Sequence, residues 1–334
     1  MLKKKSLATV CFSGLGILAS SMLLVACQPA SDKKTEVKAD QASASEVVVE
    51  KLSLKGSTQN VPVHLTDCDG NSCPEISIDR LSTNQFVLDS LIDHAILKQL
   101  NQILETTGTT DKSKNEKVLT ADEQRAASEL AATKTPVQLM TDQVQPYVNS
   151  FLALDKELKN LGVSHQISLS VSPKILNSEE PLATVVLNTS SYLGGAHGSS
   201  SQHYLNFDLK QQKQVELSQL VLPNQQAKLD HLAYEAFKKW VVDSKLADNV
   251  EEYEQAWKFN LSSNYYLGKQ GLILQYQEYE IGPYVVGLPR LVLPYDQLHG
   301  ILKPEYLPES ARNQAATSEA VTSTSTATVT KPKS

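Results

Sequence analysis

An uncharged apolar run near the start of the chain sets the main limit on what can fold. Residues 7–26 carry no charged side chain, lysines occupy positions 3–5, and Cys27 follows directly after the run. A cationic start, an apolar middle and a small residue at the end are typical of a secretory signal that is removed. An uncleaved membrane-spanning helix is the alternative, because roughly 20 apolar residues can cross a bilayer. On both interpretations the globular part begins after this segment.

The end of the apolar run favours the cleaved signal. Leu24-Val25-Ala26-Cys27 resembles the lipobox of bacterial lipoproteins. The resemblance implies that Cys27 is acylated, for example by palmitate, and becomes the first mature residue, held at a membrane by lipid alone. Each buried acyl CH₂ contributes about 0.8 kcal/mol, so several chains on one cysteine anchor stably. Because Gln28 follows the cysteine, we expect a cell-envelope protein, exported to the periplasm and sorted to the outer membrane if the organism is Gram-negative.

Two polar segments bound the part of the chain that can form a core. Residues 27–45 and residues 311–334 contain few large apolar side chains, which predicts a disordered tether and a disordered tail. Residues 46–310 remain, roughly 265 residues, enough for one large or two smaller domains. We predict an N-terminal accessory α+β region over residues 46–162 and a C-terminal domain over residues 163–310.

The charge of the chain excludes one class of partner. The formal net charge is −6, and removing residues 1–26, with three lysines and no acidic side chain, changes it to −9. An acidic protein is poorly suited to nucleic acid, whose phosphates attract Lys and Arg. We expect no nucleic-acid partner, and we expect a basic partner to be attracted.

The cysteines predict one disulfide. Four are present; Cys11 lies in the signal and Cys27 is assigned to lipid, so Cys68 and Cys73 remain for an exported, oxidising compartment. An Asp-Gly-Asn sequence between them favours a turn. Half of a metal site is the alternative, but no second Cys/His pair stands at zinc spacing. We therefore expect a disulfide, no metal and no cofactor.

Apolar periodicity predicts an α+β fold: antiparallel sheets with helices packed on one side, in two subdomains. Helices are predicted from residue 83 or 84, over residues 137–160 with Pro146 as a kink or break, and over residues 225–245. Strands are predicted at residues 47–54, 61–65, 166–172, 183–192, 203–209, 257–261, 265–267, 272–279 and 290–293.

A glycine-rich turn is the first candidate site. Gly194-Gly195-Ala196-His197-Gly198 lacks the Lys-Ser/Thr of a phosphate-binding loop. Three glycines in five residues indicate positive φ or a close backbone approach. The segment is either a binding loop with His197 as donor or ligand, or a tight connection between two strands.

Sequence motifs for catalysis are weak. A metal site built from His197, His203 and Glu278 or Glu280 lacks any fixed ligand spacing. The serines at positions 199–201 lack the Gly-x-Ser-x-Gly elbow. Glu278 and Glu280, two apart on a predicted strand, would share one face rather than flank a sugar. We expect no catalytic residue.

A tyrosine-rich region forms the second candidate site. Tyr276, Tyr279, Tyr284 and Tyr295 lie near Pro283 and Gly287. Tyrosine can bury its ring and keep its hydroxyl in water, which suits an interface. It suits a half-buried sheet equally well, since strands favour tyrosine.

An ordered series of motifs runs through the second half of the chain. The series comprises Ser191-Tyr192-Leu193-Gly194-Gly195-Ala196-His197-Gly198, Asn206-Phe207-Asp208-Leu209, Leu217-Ser218-Gln219-Leu220, Gly271-Leu272, Tyr276, Tyr279-Glu280-Ile281-Gly282-Pro283-Tyr284, Gly287-Leu288-Pro289 and Leu293-Pro294-Tyr295. This order resembles the extracytoplasmic domain of the RsiV family of anti-sigma factors. Residues 68–97 are similar to the accessory region that precedes that domain.

The resemblance implies an extracytoplasmic module that binds a lysozyme-like basic protein or peptidoglycan. The same domain type also precedes peptidoglycan deacetylase catalytic domains. Residues 1–6 are too few for a sigma-binding domain, and no deacetylase domain is expected after the module. We therefore expect a non-enzymatic, lipid-anchored binding protein. The candidate binding residues are Gly194, Gly195, His197, Gly198, Tyr279, Glu280, Pro283, Tyr284 and Gly287.

Two further hypotheses remain open. One is an enzyme that modifies cell-wall polysaccharide, with His197 and Glu280 as acid–base partners. The other is a structural envelope lipoprotein that bridges partners through its tether and tail.

Overall fold

The computed structural model describes residues 51–65, 68, 72–105, 132–163, 165–309 and 311–312. The signal, Cys27, the tether and nearly all of the C-terminal tail lie outside these residues. In the described part of the chain, every helix is too short or too polar to cross a membrane.

A six-stranded sheet forms the first layer. Its strands, in spatial order, are β1 (Gly56–Asn60), β2 (Glu75–Thr83), β3 (Ser168–Asn177), β4 (Ala183–Tyr192), β5 (Ser199–Asp208) and β6 (Lys213–Gln214). Neighbouring strands run antiparallel, except that β2 and β3 are parallel. In the register, Ser190 of β4 lies opposite Ser170 on one side and Ser200 on the other. Side chains of one kind therefore line up across three strands.

Two long helices cover one face of this sheet. The first, α1 (Phe86–Glu105), buries an apolar side chain at every fourth residue from Leu88 to Leu104. The second, α2 (Pro136–Asn160), begins with a capping box in which Thr135 and Gln138 bond each other's backbone N–H groups. Pro146 lies within α2 without ending it. The buried stripe packs with alternate residues of β3, such as Leu169 and Val171, in the first core.

A three-stranded antiparallel sheet and three helices build a second core. The strands are β7 (Tyr265–Leu267), β8 (Gly271–Gln275) and β9 (Arg290–Pro294), and the helices are α3 (Leu217–Leu220), α4 (Gln226–Asp243) and α5 (Val250–Ala256). One-turn 3₁₀ segments lie at Tyr284–Val286, Tyr295–Gln297 and Pro304–Tyr306. Leu229, Ala233, Phe237 and Val241 recur along α4 and are fully buried in this core. Their spacing of four residues is the pattern that predicted the helix.

These layers confirm the predicted fold class. The protein is α+β, with antiparallel-rich sheets and helices packed against them. The first core draws on residues 54–209 and the second on residues 182–311. Because β2 pairs with β3, the first sheet is continuous across residues 162–163. The domain boundaries stated above stay predictions.

Some predicted strands are displaced. The first strand is Gly56–Asn60, whereas residues 51–55 and 61–65 are irregular. Leu54 and Val61 are buried in the first core from these irregular segments, so their apolar character marked burial rather than a strand. Residues 257–261 are also irregular, because Trp257 ends α5.

The disulfide is present as predicted. Cys68 and Cys73 are bonded, with their Cα atoms 5.8 Å apart, a usual separation for a disulfide. The bond closes a short loop just before β2. It therefore cross-links only residues that are close in sequence, in the first half of the chain.

Side chains, rather than a strand, satisfy the open edge of β5. The Asn264 Oδ1 atom accepts from the Tyr204 N–H at 2.8 Å, and its Nδ2 donates to the Gln202 carbonyl at 2.7 Å. Gln277 bonds the same backbone, accepting from the Gln202 N–H at 3.2 Å and donating to its carbonyl at 2.8 Å. These bonds fasten the loops of the second sheet to the first sheet and protect an edge that could otherwise pair with another strand.

Candidate functional site

The two loops singled out from the sequence meet at one surface. The connection between β4 and β5, residues 193–198, contains the glycine-rich turn; the connection between β8 and β9, residues 276–289, contains Tyr279 and Tyr284. We call His197, Trp257, Tyr279 and Tyr284 the ring cluster. His197 and Tyr279 are 82 residues apart and are joined by a hydrogen bond.

The glycines shape the turn beneath the cluster. Gly194 has φ of +84°, and a Cβ there would lie 2.8 Å from a methyl carbon of Leu158 on α2. Both facts restrict this position to glycine. Gly198 presents its carbonyl to the Tyr284 hydroxyl, which donates to it at 2.9 Å. At Gly195 the nearest atom to an added Cβ is 3.9 Å away, so that glycine is not required by packing.

The partners of His197 fix its tautomer. Its Nδ1 atom lies 2.9 Å from the Gly198 carbonyl, which can only accept, so Nδ1 carries the proton and donates. Its Nε2 atom lies 2.9 Å from the Tyr279 hydroxyl and accepts from it. Both ring nitrogens are therefore engaged. The ring also stacks on Tyr284, with centroids 3.9 Å apart.

Tyr279 and Tyr284 extend the cluster toward solvent. Tyr279 has φ of +63°, which is uncommon for a bulky residue, and its side chain is 50% exposed. Its ring lies 5.7 Å from that of Tyr284 and 6.4 Å from that of Trp257, with planes within 29° of parallel. Val285 follows at 86% exposure. An apolar, aromatic surface with polar tips therefore faces water.

The acidic residues of the loop take separate positions. The Glu278 carboxylate accepts from the Ser199 hydroxyl at 2.9 Å and from the Ser200 N–H at 3.0 Å. The Glu280 carboxylate accepts from the Gln277 N–H at 2.7 Å. Burial of the Glu280 carboxyl raises its pKa, opposed by that hydrogen bond.

One expectation about these acids is therefore wrong. Glu278 and Glu280 do not share a strand face, because β8 ends at Gln275 and the chain turns at Tyr279. In the described part of the chain, no hydrogen bond joins His197 to Glu280, and the hypothesis that they act as acid–base partners stays a prediction.

Pro283 and Gly287 frame the 3₁₀ turn that carries Tyr284. Pro283 precedes the turn and its carbonyl accepts from the Val286 N–H at 3.0 Å. Gly287 ends the turn with φ of +66°. Both residues therefore shape the backbone that positions the Tyr284 ring, and neither adds an aromatic ring or a charge to the ring cluster.

A polar groove of about 270 Å³ adjoins the ring cluster on the sheet face opposite α1 and α2. Its walls are hydroxyl and amide side chains in cross-strand rows. They come from Ser170, Ser172, Asn188, Thr189, Ser190, Ser200, Ser201 and Gln202, with Leu288 at the border. Ser200 links the two surfaces, because its N–H bonds the residue just before Tyr279.

Sequence reasoning missed Trp257, Val285 and the groove. Trp257 stood in a predicted strand, but it is the C-terminal cap residue of α5 and is half-buried against the second core. The groove had a signal, the serines at alternate positions 168, 170 and 172 of β3. A polar alternation marks the face of a strand that is turned away from the core.

Metal ligation has no support in the described ranges. No three His, Cys, Asp or Glu side chains converge there as metal ligands. His197 and His203 are therefore not part of such a group of ligands among the described residues.

Residues 218–296 match the family described as "Protein of unknown function (DUF3298)", so the chain carries a DUF3298 domain. This stretch contains Trp257, Tyr279 and Tyr284 but not the glycine-rich turn. The chain is similar to two solved structures, both with low TM-scores. A DUF3298 family protein of Pseudomonas aeruginosa PAO1 is 23% identical, covers 76% of this chain and 95% of its own, and has a TM-score of 0.49. A DUF3298 member of Bacteroides fragilis NCTC 9343 is 18% identical, covers 75% and 93%, and has a TM-score of 0.47.

One curated relative is named as an enzyme. The chain is 24% identical over 164 residues to the peptidoglycan-N-acetylmuramic acid deacetylase PdaC of Bacillus subtilis strain 168. The match covers 48% of this chain and 35% of PdaC, so the chain spans about a third of the relative's length. This similarity overturns the expectation that the chain is not an enzyme.

Proposed function

We propose that this protein acts at the cell wall by binding the glycan strands of peptidoglycan at the ring cluster and the polar groove. The single observation that carries the proposal is the set of near-parallel rings of the ring cluster, of which His197, Tyr279 and Tyr284 are exposed and Trp257 is half-buried. One face of a pyranose ring presents C–H groups that pack on an aromatic face. Its hydroxyl and acetamido groups then need hydrogen-bonding partners at the side.

The groove supplies such partners next to the rings. Binding sites for small ligands combine an apolar surface with a few placed polar groups that fix orientation. Tyrosine offers both, since its ring is apolar and its hydroxyl is polar. Serine and asparagine side chains in rows across β3, β4 and β5 can donate and accept along an extended ligand. A glycan strand is a ligand with that repeating, polar character.

The similarity to PdaC supports the cell wall as the setting, because peptidoglycan is the substrate in that relative's name. It also favours a second candidate function, modification of wall polysaccharide. In a deacetylation, water cleaves an acetamide and yields acetate and a free amine. Incubation of the purified chain with peptidoglycan, with acetate and amine measured together, tests this candidate; equal release of both supports it, and no release contradicts it.

The resemblance to the RsiV family supplies a competing ligand, a lysozyme-like basic protein. Acidic residues lie near the rings along the chain: Glu251 and Glu252 are exposed on the helix that Trp257 ends, and the half-buried Glu278 precedes Tyr279. Such charge steers a basic partner and makes its association sensitive to salt.

The test is co-sedimentation of the chain from residue 28, which keeps every described residue, with purified peptidoglycan. We expect saturable binding, reduced at least tenfold by Tyr284→Ala and by Tyr279→Ala. Phe86→Ala is the matched control, because Phe86 is an aromatic residue with 78% exposure on α1 and outside the ring cluster. Binding that is equal in all four proteins would refute the ring cluster as the glycan site.

A parallel calorimetric titration with hen-egg-white-type lysozyme, at low and moderate salt, separates the two ligands. One-to-one binding that survives moderate salt and is lost in Tyr284→Ala would assign the ring cluster to a protein partner instead. Binding that disappears with salt reflects charge attraction alone.

We also propose that Cys27 carries lipid and holds the protein in the cell envelope. The support is the Leu-x-Ala-Cys ending of the apolar run and the polar tether after it. Metabolic labelling with a palmitate analogue should mark the protein and should fail with Cys27→Ser. Labelling that persists in Cys27→Ser would contradict the assignment.

A further inference from the structure

A cleft of about 340 Å³ borders β5. We call it the β5 cleft. It opens between α1 and the loops of the second sheet, and it uses none of the ring cluster. Its principal polar residues are Lys98, Gln99, Gln102, Ser201, His203 and Glu280.

Three ionisable groups face this cleft with unused bonding capacity. Among the described residues, Lys98 has no ion pair, neither ring nitrogen of His203 has a hydrogen-bond partner, and one carboxylate oxygen of Glu280 has none. Lys98 and Glu280 are exposed and His203 is half-buried, so water reaches these groups and a ligand can reach them too. Unused charges of both signs in a cleft are typical of a ligand site.

The environment of His203 shows how the groups are arranged. Burial lowers the pKa of His203, and the nearby Lys98 ammonium lowers it further. The imidazole is therefore neutral at pH 7 and offers one N–H beside a cation. This pair presents donors to an anion at one part of the cleft. Glu280, whose pKa is raised by burial, presents an acceptor at another.

The remaining walls leave further polar atoms free. The Gln99 Nε2 donates to the side-chain Oε1 of Gln102 at 3.1 Å. The Oε1 of Gln99 and the NH₂ group of Gln102 remain available. The side-chain amides of Asn264 and Gln277 also line the cleft, but they are already hydrogen-bonded to the backbone of β5 and are not available to a ligand.

We propose that the β5 cleft binds a zwitterionic amino-acid group, with the ligand carboxylate between Lys98 and His203 and the ligand ammonium on Glu280. The inference does not depend on glycan binding, because Lys98, His203 and Glu280 do not line the groove, although Ser201 lines both cavities. A neutral polar ligand would leave both charges unpaired, and a ligand of one sign would leave one unpaired. Free amino acids and the ends of short peptides share this chemistry.

The experiment is a titration of the isotope-labelled chain from residue 28, followed by NMR. The probes are alanine and dialanine, each in both configurations, with N-acetylalanine and alanine amide as blocked forms that lack one charge. We expect a zwitterion to shift the amide signals of Ser201 and His203 and both blocked forms to bind at least tenfold more weakly. Stronger binding of alanine than of dialanine would indicate a free amino acid, and the reverse order a peptide end.

Charge-removing variants complete the test. Lys98→Gln and Glu280→Gln should each weaken the best zwitterion at least tenfold, whereas Lys269→Gln, an exposed lysine in the β7–β8 turn, should not. The glutamine at position 280 can still accept from the Gln277 N–H, so the loop is retained. No shift with any zwitterion, or equal binding of the blocked forms, would overturn the proposal. Tyr284→Ala should leave zwitterion binding unchanged, which separates this result from the glycan test.

Discussion

Replacing Asn264 by alanine tests whether side-chain amides hold the open edge of β5. The buried Asn264 amide accepts from the Tyr204 N–H and donates to the Gln202 carbonyl. After the substitution, the Gln202 carbonyl still accepts from Gln277, but the Tyr204 N–H loses its partner in a buried position. The loss of the Asn264 Oδ1 acceptor therefore lowers the free energy of unfolding more than the loss of its Nδ2 donor.

The magnitude follows from that inequality. An orphaned buried donor costs about 1–3 kcal/mol, and a lost hydrogen bond whose acceptor keeps another partner costs about 1 kcal/mol. The free energy of unfolding should fall by about 2–4 kcal/mol. Since 1 kcal/mol shifts the Tm of a domain of this size by roughly 2–4 °C, the Tm should fall by about 6–12 °C for a loss near 3 kcal/mol.

Denaturant unfolding measures the loss, with Asn260→Ala as the control. The Asn260 side chain is exposed and makes one long hydrogen bond, of 3.4 Å, to the Lys258 carbonyl. Asn264→Asp adds a diagnostic, because a carboxylate keeps the acceptor but not the donor. Burial raises the pKa of such a carboxyl above its unfolded value of about 4, so the cost should shrink as pH falls toward about 4, where the protonated carboxyl can donate again. A loss for Asn264→Ala within about 0.5 kcal/mol of the control would refute the reasoning.

Two further predictions follow from the geometry. Gly194→Ala should cost about 1–3 kcal/mol, because its φ of +84° disfavours any side chain and the added Cβ meets α2, whereas Gly195→Ala should cost less than about 0.5 kcal/mol in the same denaturant assay. Equal costs at both positions would show that backbone strain is not the cause. Because the pKa of His203 is lowered from 6.5 by burial, the unfolded chain binds more protons, so stability should fall as pH drops below about 6.5. His203→Gln should lessen that fall in unfolding curves at pH 5 and 7.5, and an unchanged fall would exclude this histidine as the source.

Much of the fold follows from side-chain periodicity. The strand Ala183–Tyr192 has the predicted bounds, and α4 lies inside the predicted helix, because long apolar patterns report burial on one face. The same link between apolar character and burial placed the predicted strands on either side of β1 rather than at β1 itself. Its sequence, Gly56–Asn60, is polar because it is an exposed edge strand, while the apolar residues on either side enter the core from irregular segments.

The candidate site was predictable in its parts but not in its assembly. The glycine-rich turn and the tyrosine-rich loop were both recognised, since glycine clusters and exposed aromatic residues are visible in a sequence. Their contact depends on the Tyr279–His197 bond across 82 residues and on the positive φ of Tyr279, which no local pattern reports. The β5 cleft was out of reach because Lys98 comes from α1 and Glu280 from a loop of the second sheet.

The position of Trp257 gives the protein a built-in optical reporter. The chain has two tryptophans, Trp240 and Trp257; both are partly buried against the second core, and Trp257 also stacks on Tyr279 of the ring cluster. Indole emission shifts with the polarity around the ring, so a ligand that covers Tyr279 and Tyr284 should also change the emission of Trp257. In a Trp240→Phe background the whole fluorescence signal would come from the ring cluster, and occupancy of that surface could be followed without any attached label.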